Sequence, residues 1–387
     1  MMHKRLWTFV LCLLLICMQV LPAFADTLGP AETIDDLRAM LEEAQDGDTL
    51  LLSGDIAMDS GSPLTSAASI RLASQDGETA VLCSVHLRDI SAAFSNIHFV
   101  DSLAVSGTST VHLDRSVRVR GANGQSALSF SGNGTLIIDP GCVIEGSEGG
   151  SGISIHHTGG EFYGSIEGRV SGGDGSTGGT GVVISPLSDS GALLISGDIQ
   201  GGSGVTLGGH ALDLYDLSGN AFITIDGNLN GGSGFIGGDG IQLISAGDTV
   251  SVGVSASVKG GAGQSHGGSA LILMNAGDSS TFNLSGAFAG GDAIGNGAEP
   301  GTSLHLVGDD AVVRTRIDNC ILEDGRYLSA TPKPEIILTP EPTTTPTAEP
   351  TATPLFRSEV TPLPEITSPA DNIAYIITPE PPPEAAQ

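Results

Sequence analysis

Aromatic residues make up 4% of this 387-residue chain, with a single Trp. That scarcity removes the stacking platforms on which proteins usually hold sugar rings and bases. Positive charge is equally thin: 15 Lys and Arg stand against 44 Asp and Glu, a net charge of −29. Such an acidic surface repels nucleic acid and anionic lipid, so both are excluded as partners. Cysteine is too sparse for a disulfide framework or a zinc site. Downstream of Ala25 only Cys83, Cys142 and Cys320 remain, an odd number at wide spacing. They read as small buried apolar residues, with a lone Cys83–Cys142 bridge left open. HExxH and CxxC are absent. GxGxxG-like strings are chance products of 56 glycines and lie in no βαβ unit.

Long apolar runs are missing too, except for one. Leu6 to Leu21 follows Lys4 and Arg5 and precedes Ala23-Phe24-Ala25, the pattern of a cleaved secretory signal over residues 1–25. The expected mature chain, Asp26 to Gln387, has 13 Lys and Arg (15 less Lys4 and Arg5) against 44 acids, a net −31. It is expected to be exported, extracellular or surface-associated, and free of membrane insertion after cleavage. The end is equally distinct. From Thr331 the chain holds 14 of its 20 prolines and 11 threonines, a composition that stays extended and solvated. IILTPEP (Ile336 to Pro342) recurs as YIITPEP (Tyr375 to Pro381), and no sortase signal or hydrophobic anchor is recognisable.

Between these ends the chain repeats. Double glycines begin at Gly172, Gly201, Gly231, Gly260 and Gly290, every 29 or 30 residues. Ten apolar pairs at i, i+2 align as a first column: Leu50/Leu52, Val85/Leu87, Val111/Leu113, Leu136/Ile138, Gly164/Ile166, Leu193/Ile195, Ile223/Ile225, Val252/Val254, Phe282/Leu284 and Ala311/Val313. A second column precedes five of them: Ile153/Ile155, Val182/Ile184, Leu212/Leu214, Ile241/Leu243 and Leu271/Leu273. Small residues follow at Gly168, Gly197, Gly227, Ala256 and Gly286, then a third apolar column at Val170, Ile199, Leu229, Val258 and Phe288. Alternation at period two makes strands with one inward face. A fixed period lets each strand bond to its counterpart one coil on and stack like side chains. The expected fold is an all-β right-handed parallel β-helix over residues 47–330, with about ten coils. A β-sandwich would not require matched columns. Residues 26–46 hold a capping helix, with Ile34, Leu37, Leu41 and Ala44 on one face. Thr33 and Asp36 are its capping box and Asp46-Gly47 its stop.

The segment TIDDLRAMLEEAQDGDTLLLSGDI, Thr33 to Ile56, resembles the opening of right-handed parallel β-helix proteins of the pectate-lyase-like superfamily, where a capping helix leads through a Gly-Asp-Thr turn into the first strand. AFSNIHFVDS, Ala93 to Ser102, is similar to one of their coils. The resemblance implies fold more than activity, because that architecture hosts enzymes, adhesins and stalks.

One polar constellation stands out. SVHLRD (Ser84 to Asp89) and TVHLDR (Thr110 to Arg115) share a Val-His-Leu centre and lie close to one coil length apart. Stacked in register, they would set His86 beside His112, Arg88 beside Asp114 and Asp89 beside Arg115, with Arg118 and Arg120 outward just beyond. Read functionally, these eight residues bind an acidic polysaccharide through Arg–carboxylate pairs. Read structurally, they are a solvated salt-bridge ladder. The resemblance implies an arginine base and Ca²⁺-binding acids beside a groove, for which Arg118 or Arg120 with Asp89 and Asp114 is the nearest equivalent. His156-His157 reads as loop histidines. GGHALDLYD (Gly208 to Asp216) carries the aspartate of a Ca²⁺-binding nonapeptide, but Val183, Gln242 and Ile272 replace it in matching coils, so turn geometry is the expectation. No metal or cofactor is assigned; a lone Ca²⁺ among the turn aspartates is left open, with no position given to it. The function expected is a non-catalytic glycan-binding, adhesion or scaffolding module. The alternative is a polysaccharide lyase or glycoside hydrolase acting on an acidic polymer.

Overall fold

The chain starts its ordered course with a strand and a short helix. A computed structural model describes residues 25–57, 62–75, 80–247, 249–277, 279–307, 315–322 and 327–328. The signal segment up to residue 24 and the tail beyond residue 328 lie outside them. Helix α1, Ile34–Glu43, has the expected capping box: Asp36 donates its N–H to Thr33 Oγ1 (3.2 Å), and the Thr33 N–H donates to Asp36 Oδ2 (3.0 Å). Leu37 and Leu41 are buried, with Ile34 and Ala44 packed against the core. The Gly-Asp-Thr turn follows. Gly47 has φ +93°, and the Asp48 carboxylate accepts the N–H groups of Asp26 (2.9 Å) and Gln45 (2.8 Å). The strand Thr27–Ala31, unforeseen from sequence, pairs in parallel with Thr49–Leu52. The cap is therefore a strand and a helix together, not a helix alone.

Beyond the cap the fold is a parallel β-solenoid, 58% strand and 4% helix, of about 8 turns. The expected ten coils are too many. In the second column Leu87, Val105, Phe130, Ile155, Ile184, Leu214, Leu243, Leu273 and Leu306 stack in unbroken register. Each turn runs through the second column, the first, the small-residue bend, the third column and a glycine-rich corner. The first column holds from Val111/Leu113 to Phe282/Leu284, with Ile195 on Ile225 on Val254. The third runs Ile56, Leu82, Phe99, Val119, Ile144, Val170, Ile199, Leu229, Val258, Phe288. Its members are all buried.

The early register differs from expectation. Val85/Leu87 belongs to the second column, where it pairs with Leu103/Val105. Leu50 stacks on Leu72, whose partner Phe94 lies on Leu113, so Leu50 takes the level expected for Leu52. At the far end Phe282 and Leu284 pair with Thr315 and Ile317, while Ala311 and Val313 lie outside the described residues. The cause is variable coil length. The step from Leu87 to Val105 is the shortest, that from Val105 to Phe130 is longer, those from Ile155 to Ile184 to Leu214 are longer still, and that from Leu273 to Leu306 is the longest.

Most of the extra residues enter at the corner between third and second columns, and a few between the second and first, where the span from Phe130 to Ile138 lengthens to that from Ile155 to Ile166. The corner between third and second columns spans Phe99 to Leu103 in one turn, Val119 to Leu128 in the next, and Val170 to Val182 farther on. From Gly175 onward it is long enough to form its own parallel ladder: Gly175–Thr177, Gly204–Leu207, Gly234–Ile236 and Gly263–His266. Along this corner runs a wire of peptide hydrogen bonds. Gly173 donates to Gly150, Gly179 to Gly173, Gly202 to Gly179 and Gly209 to Gly202. The pattern continues through Gly232, Gly238, Gly261, Gly268 and Gly291 to Gly301, every bond between 2.7 and 2.9 Å. A Cβ on Gly209 would overlap the Gly179 carbonyl oxygen, so only glycine permits the approach. Cys142 is buried and Cys83 half-buried, and both are free, so the Cys83–Cys142 bridge is not formed. Burial raises the Cys142 thiol to about 12.

Candidate functional site

The eight expected site residues do not form one site. His86 lies opposite Ala104 and Arg88 opposite Ser106 on the second face. His112 lies between Ala93 and Ile137 on the first face. The expected contacts His86–His112, Arg88–Asp114 and Asp89–Arg115 therefore do not occur, because the two segments occupy different faces. Several of these polar groups have local partners instead. His86 Nε2 is 2.9 Å from Ser106 Oγ, and Asp89 Oδ1 accepts the Thr108 N–H at 2.8 Å. Arg88 Nε lies 3.4 Å from Asp89, and both side chains are largely exposed to water. His112 Nε2 lies 2.9 Å from Asp139 Oδ1 but outside hydrogen-bond geometry. Asp114 Oδ1 accepts the Ser116 N–H at 2.8 Å, and Arg115 backs onto Gly141. His156 and His157 end the strand Ile153–His157 and are not in a loop. His156 Nδ1 donates to Ser185 O (2.7 Å), and the fully buried His157 donates to Gly132 O (3.0 Å) and packs on Phe162.

Arg120 does reach a concave surface, with Arg118 beside it on the same strand. They flank buried Val119 on the strand Arg118–Arg120, so both point outward. The next rungs of this third face are Val143–Glu145, Arg169–Ser171 and Asp198–Gln200, with Arg118 stacked over Val143 over Arg169, and Arg120 over Glu145 over Ser171. Where the corner widens from Phe99–Leu103 to Val119–Leu128 it forms a wall beside this face. The resulting open cleft of about 750 Å³ is lined by Asp101, Arg120, Asn123, Ser147, Glu148 and Asp174, among others. A second hollow of about 320 Å³ shares Arg120, Gly146 and Asp174 with it and adds Glu145, Arg169 and Gln200. Arg169 was not singled out from sequence, although its position in the chain marks it. The strings RVR, VIE and RVS are third-column rungs whose apolar centre was recognised only from Val170 on.

The electrostatics favour an anion here. Among the described residues no ion pair involves Arg118, Arg120 or Arg169. His98, beside Arg118, is held below its ordinary value by burial first and then by the positive charges of Arg118 and Arg120. The glycine wire begins at Gly150, next to the cleft residues Ser147 and Glu148. Its peptides all point the same way, as in a helix, with their positive end at this side. The acids of the cleft are partly engaged: Asp174 Oδ1 accepts the Ser203 N–H at 2.6 Å.

A second polar group, of which only the aspartate of GGHALDLYD was weighed from sequence, lies beside the glycine corner. Asp213, at the sixth position of GGHALDLYD, is 5% exposed; its Oδ2 accepts from Thr180 Oγ1 (3.0 Å), and its Oδ1 has no partner among the described residues. Asp239 accepts the Ser269 N–H (2.6 Å) and lies 3.3 Å from His210 Nδ1. Burial raises both carboxyls, against the opposing pull of His210. Among the described residues no three His, Cys, Asp or Glu side chains converge on a point that could hold a metal ion, and no helix is long and apolar enough to cross a membrane. Comparison with protein-family models, with curated proteins and with solved structures found no match. What the chain shows by itself is a parallel β-solenoid with an arginine-lined cleft on its third face.

Proposed function

We propose that this chain is an exported, pectate-lyase-like β-helix that binds anionic polysaccharide along its third face, acting as an adhesion or scaffolding module. One observation carries the reading: Arg118, Arg120 and Arg169 lack carboxylate partners among the described residues, yet they share one face, and Arg120 and Arg169 line its hollow, on a molecule with a net charge of −29. Unpaired guanidinium groups are costly to collect unless a ligand supplies the counter-charge, and their planar forks suit sugar carboxylates. Ser147 and Asn123, with the carboxylates of Glu148 and Asp174, supply partners for ring hydroxyls. The rigid stacked rungs keep these groups at fixed spacing, which favours a polymer of regular repeat.

The test is glycan-array binding of the full exported chain beside its Arg120→Gln variant. Retention of acidic glycans that falls about tenfold in the variant supports the reading. Equal retention by both proteins overturns it. Release of unsaturated uronate from the same panel, abolished by Arg120→Gln, would make the chain a lyase instead. Asp89 and Asp114 could not serve such an enzyme with Arg120, since they sit on other faces with partners of their own.

A further inference from the structure

The third face alternates in charge along the solenoid axis. Its outward residues are Arg118 and Arg120 on one rung, Val143 and Glu145 on the next, Arg169 and Ser171 on the third, Asp198 and Gln200 on the fourth. All the charged members are exposed. Arg120, Glu145 and Arg169 line the same hollow. Like charge thus recurs every second rung, about 9.6 Å at ordinary strand spacing.

From this alternation we infer that the cleft selects a polysaccharide with one anionic group per disaccharide, against a homopolymer of uronic acid. The inference rests on the glycan-binding reading above and specifies its ligand. An extended polysaccharide advances by roughly one strand spacing per ring, so a chain lying along the axis sets one ring over each rung. Carboxylates on alternate rings meet Arg118 and Arg120, then Arg169. The ring between them lies over Val143, with Glu145 accepting its hydroxyl or amide protons. A homouronan places a carboxylate on every ring, so one faces Glu145 and another Asp198. That like-charge encounter rejects it, while the arginines attract both polymers alike. Arginine supplies affinity here; Glu145 supplies choice.

The experiment is calorimetric titration of the full chain, at low salt, with two hexasaccharides. One alternates uronate with N-acetylhexosamine; the other is all uronate. The alternating ligand is expected to bind about tenfold tighter, a difference that Glu145→Gln cuts to about threefold or less by strengthening homouronate binding. Arg169→Gln is expected to weaken the alternating ligand about tenfold. Both side chains are exposed, and unchanged melting temperatures verify that the variants fold. Homouronate binding as tightly as the alternating ligand, or a preference unmoved by Glu145→Gln, overturns this inference and leaves glycan binding standing. Binding of neither hexasaccharide overturns both.

Discussion

The early turns, up to Glu145, and the late turns, from Gly175 to Gly301, are built on the same three columns but tolerate different things. Early corners are short and unequal, and charged residues stand beside them. Late corners are long and uniform, and their four-stranded ladder holds no Asp, Glu, Lys or Arg. That ladder instead exposes Val205 and Phe235, 75% and 50% accessible. The lesson is that regularity and chemistry separate along this rod. The stretch that repeats most faithfully has the least freedom to carry reactive or binding groups. The cleft forms where one regime gives way to the other.

Substitutions in the two stretches put that contrast at risk, and the largest effect belongs to an apolar stack. Ile195→Ala, in the middle of the first column, is expected to cost about 4 kcal/mol in denaturant titration. A loss below about 1 kcal/mol would mean that the column does not bear on Ile166 and Ile225. Gly209→Ala in the late corner is expected to cost about 3 kcal/mol, since its Cβ would overlap the Gly179 carbonyl oxygen. Gly253→Ala supplies the control in the same late region. Nothing lies within 4 Å of its new methyl, so it should be neutral or stabilising by about 0.5 kcal/mol.

Asp213 brings pH into the comparison, because burial raises its folded-state carboxyl above the ordinary 3.8. Its contribution is therefore fully favourable below 3.8 and is lost as pH rises through the higher folded value. Asp213→Asn should remove that part of the fall, so that melting temperatures of variant and parent diverge as pH rises above 3.8, with the variant higher. Curves that stay parallel would refute it. The smallest effect is expected in the early region: Arg88→Ala breaks a largely exposed pair at 3.4 Å and should change stability by no more than about 0.5 kcal/mol.

The late fold was legible because strict repetition is its own alignment. Ile195, Ile225 and Val254 could be stacked by counting. The early register was not, since an apolar pair from the second column resembles one from the first. Val85/Leu87 precedes Val111/Leu113 by close to a coil length, although the true coil closes sooner, from Leu87 to Val105. The slip carried His86, Arg88 and Asp89 onto the wrong face. Arg118 and Arg120 survived it because outward alternation around Val119 does not depend on coil length. The wall of the cleft could not be read, since it arises from a difference in corner length between neighbouring turns. Asp213 was read only as the aspartate of GGHALDLYD, and its burial was not legible. Its carboxylate meets Thr180 from the preceding turn, and no local motif records that enclosure.

The glycine wire also governs how such a molecule can vary. Each peptide in it fills the space that its neighbour's side chain would need, so single substitutions jam against an adjacent layer. Removing a few residues from one corner would leave a donor above and an acceptor below without mates. Duplicating a complete circuit of 29 or 30 residues leaves every junction as it was. The rod's natural increment of growth is thus an entire storey, and its height is adjustable in steps of one strand spacing.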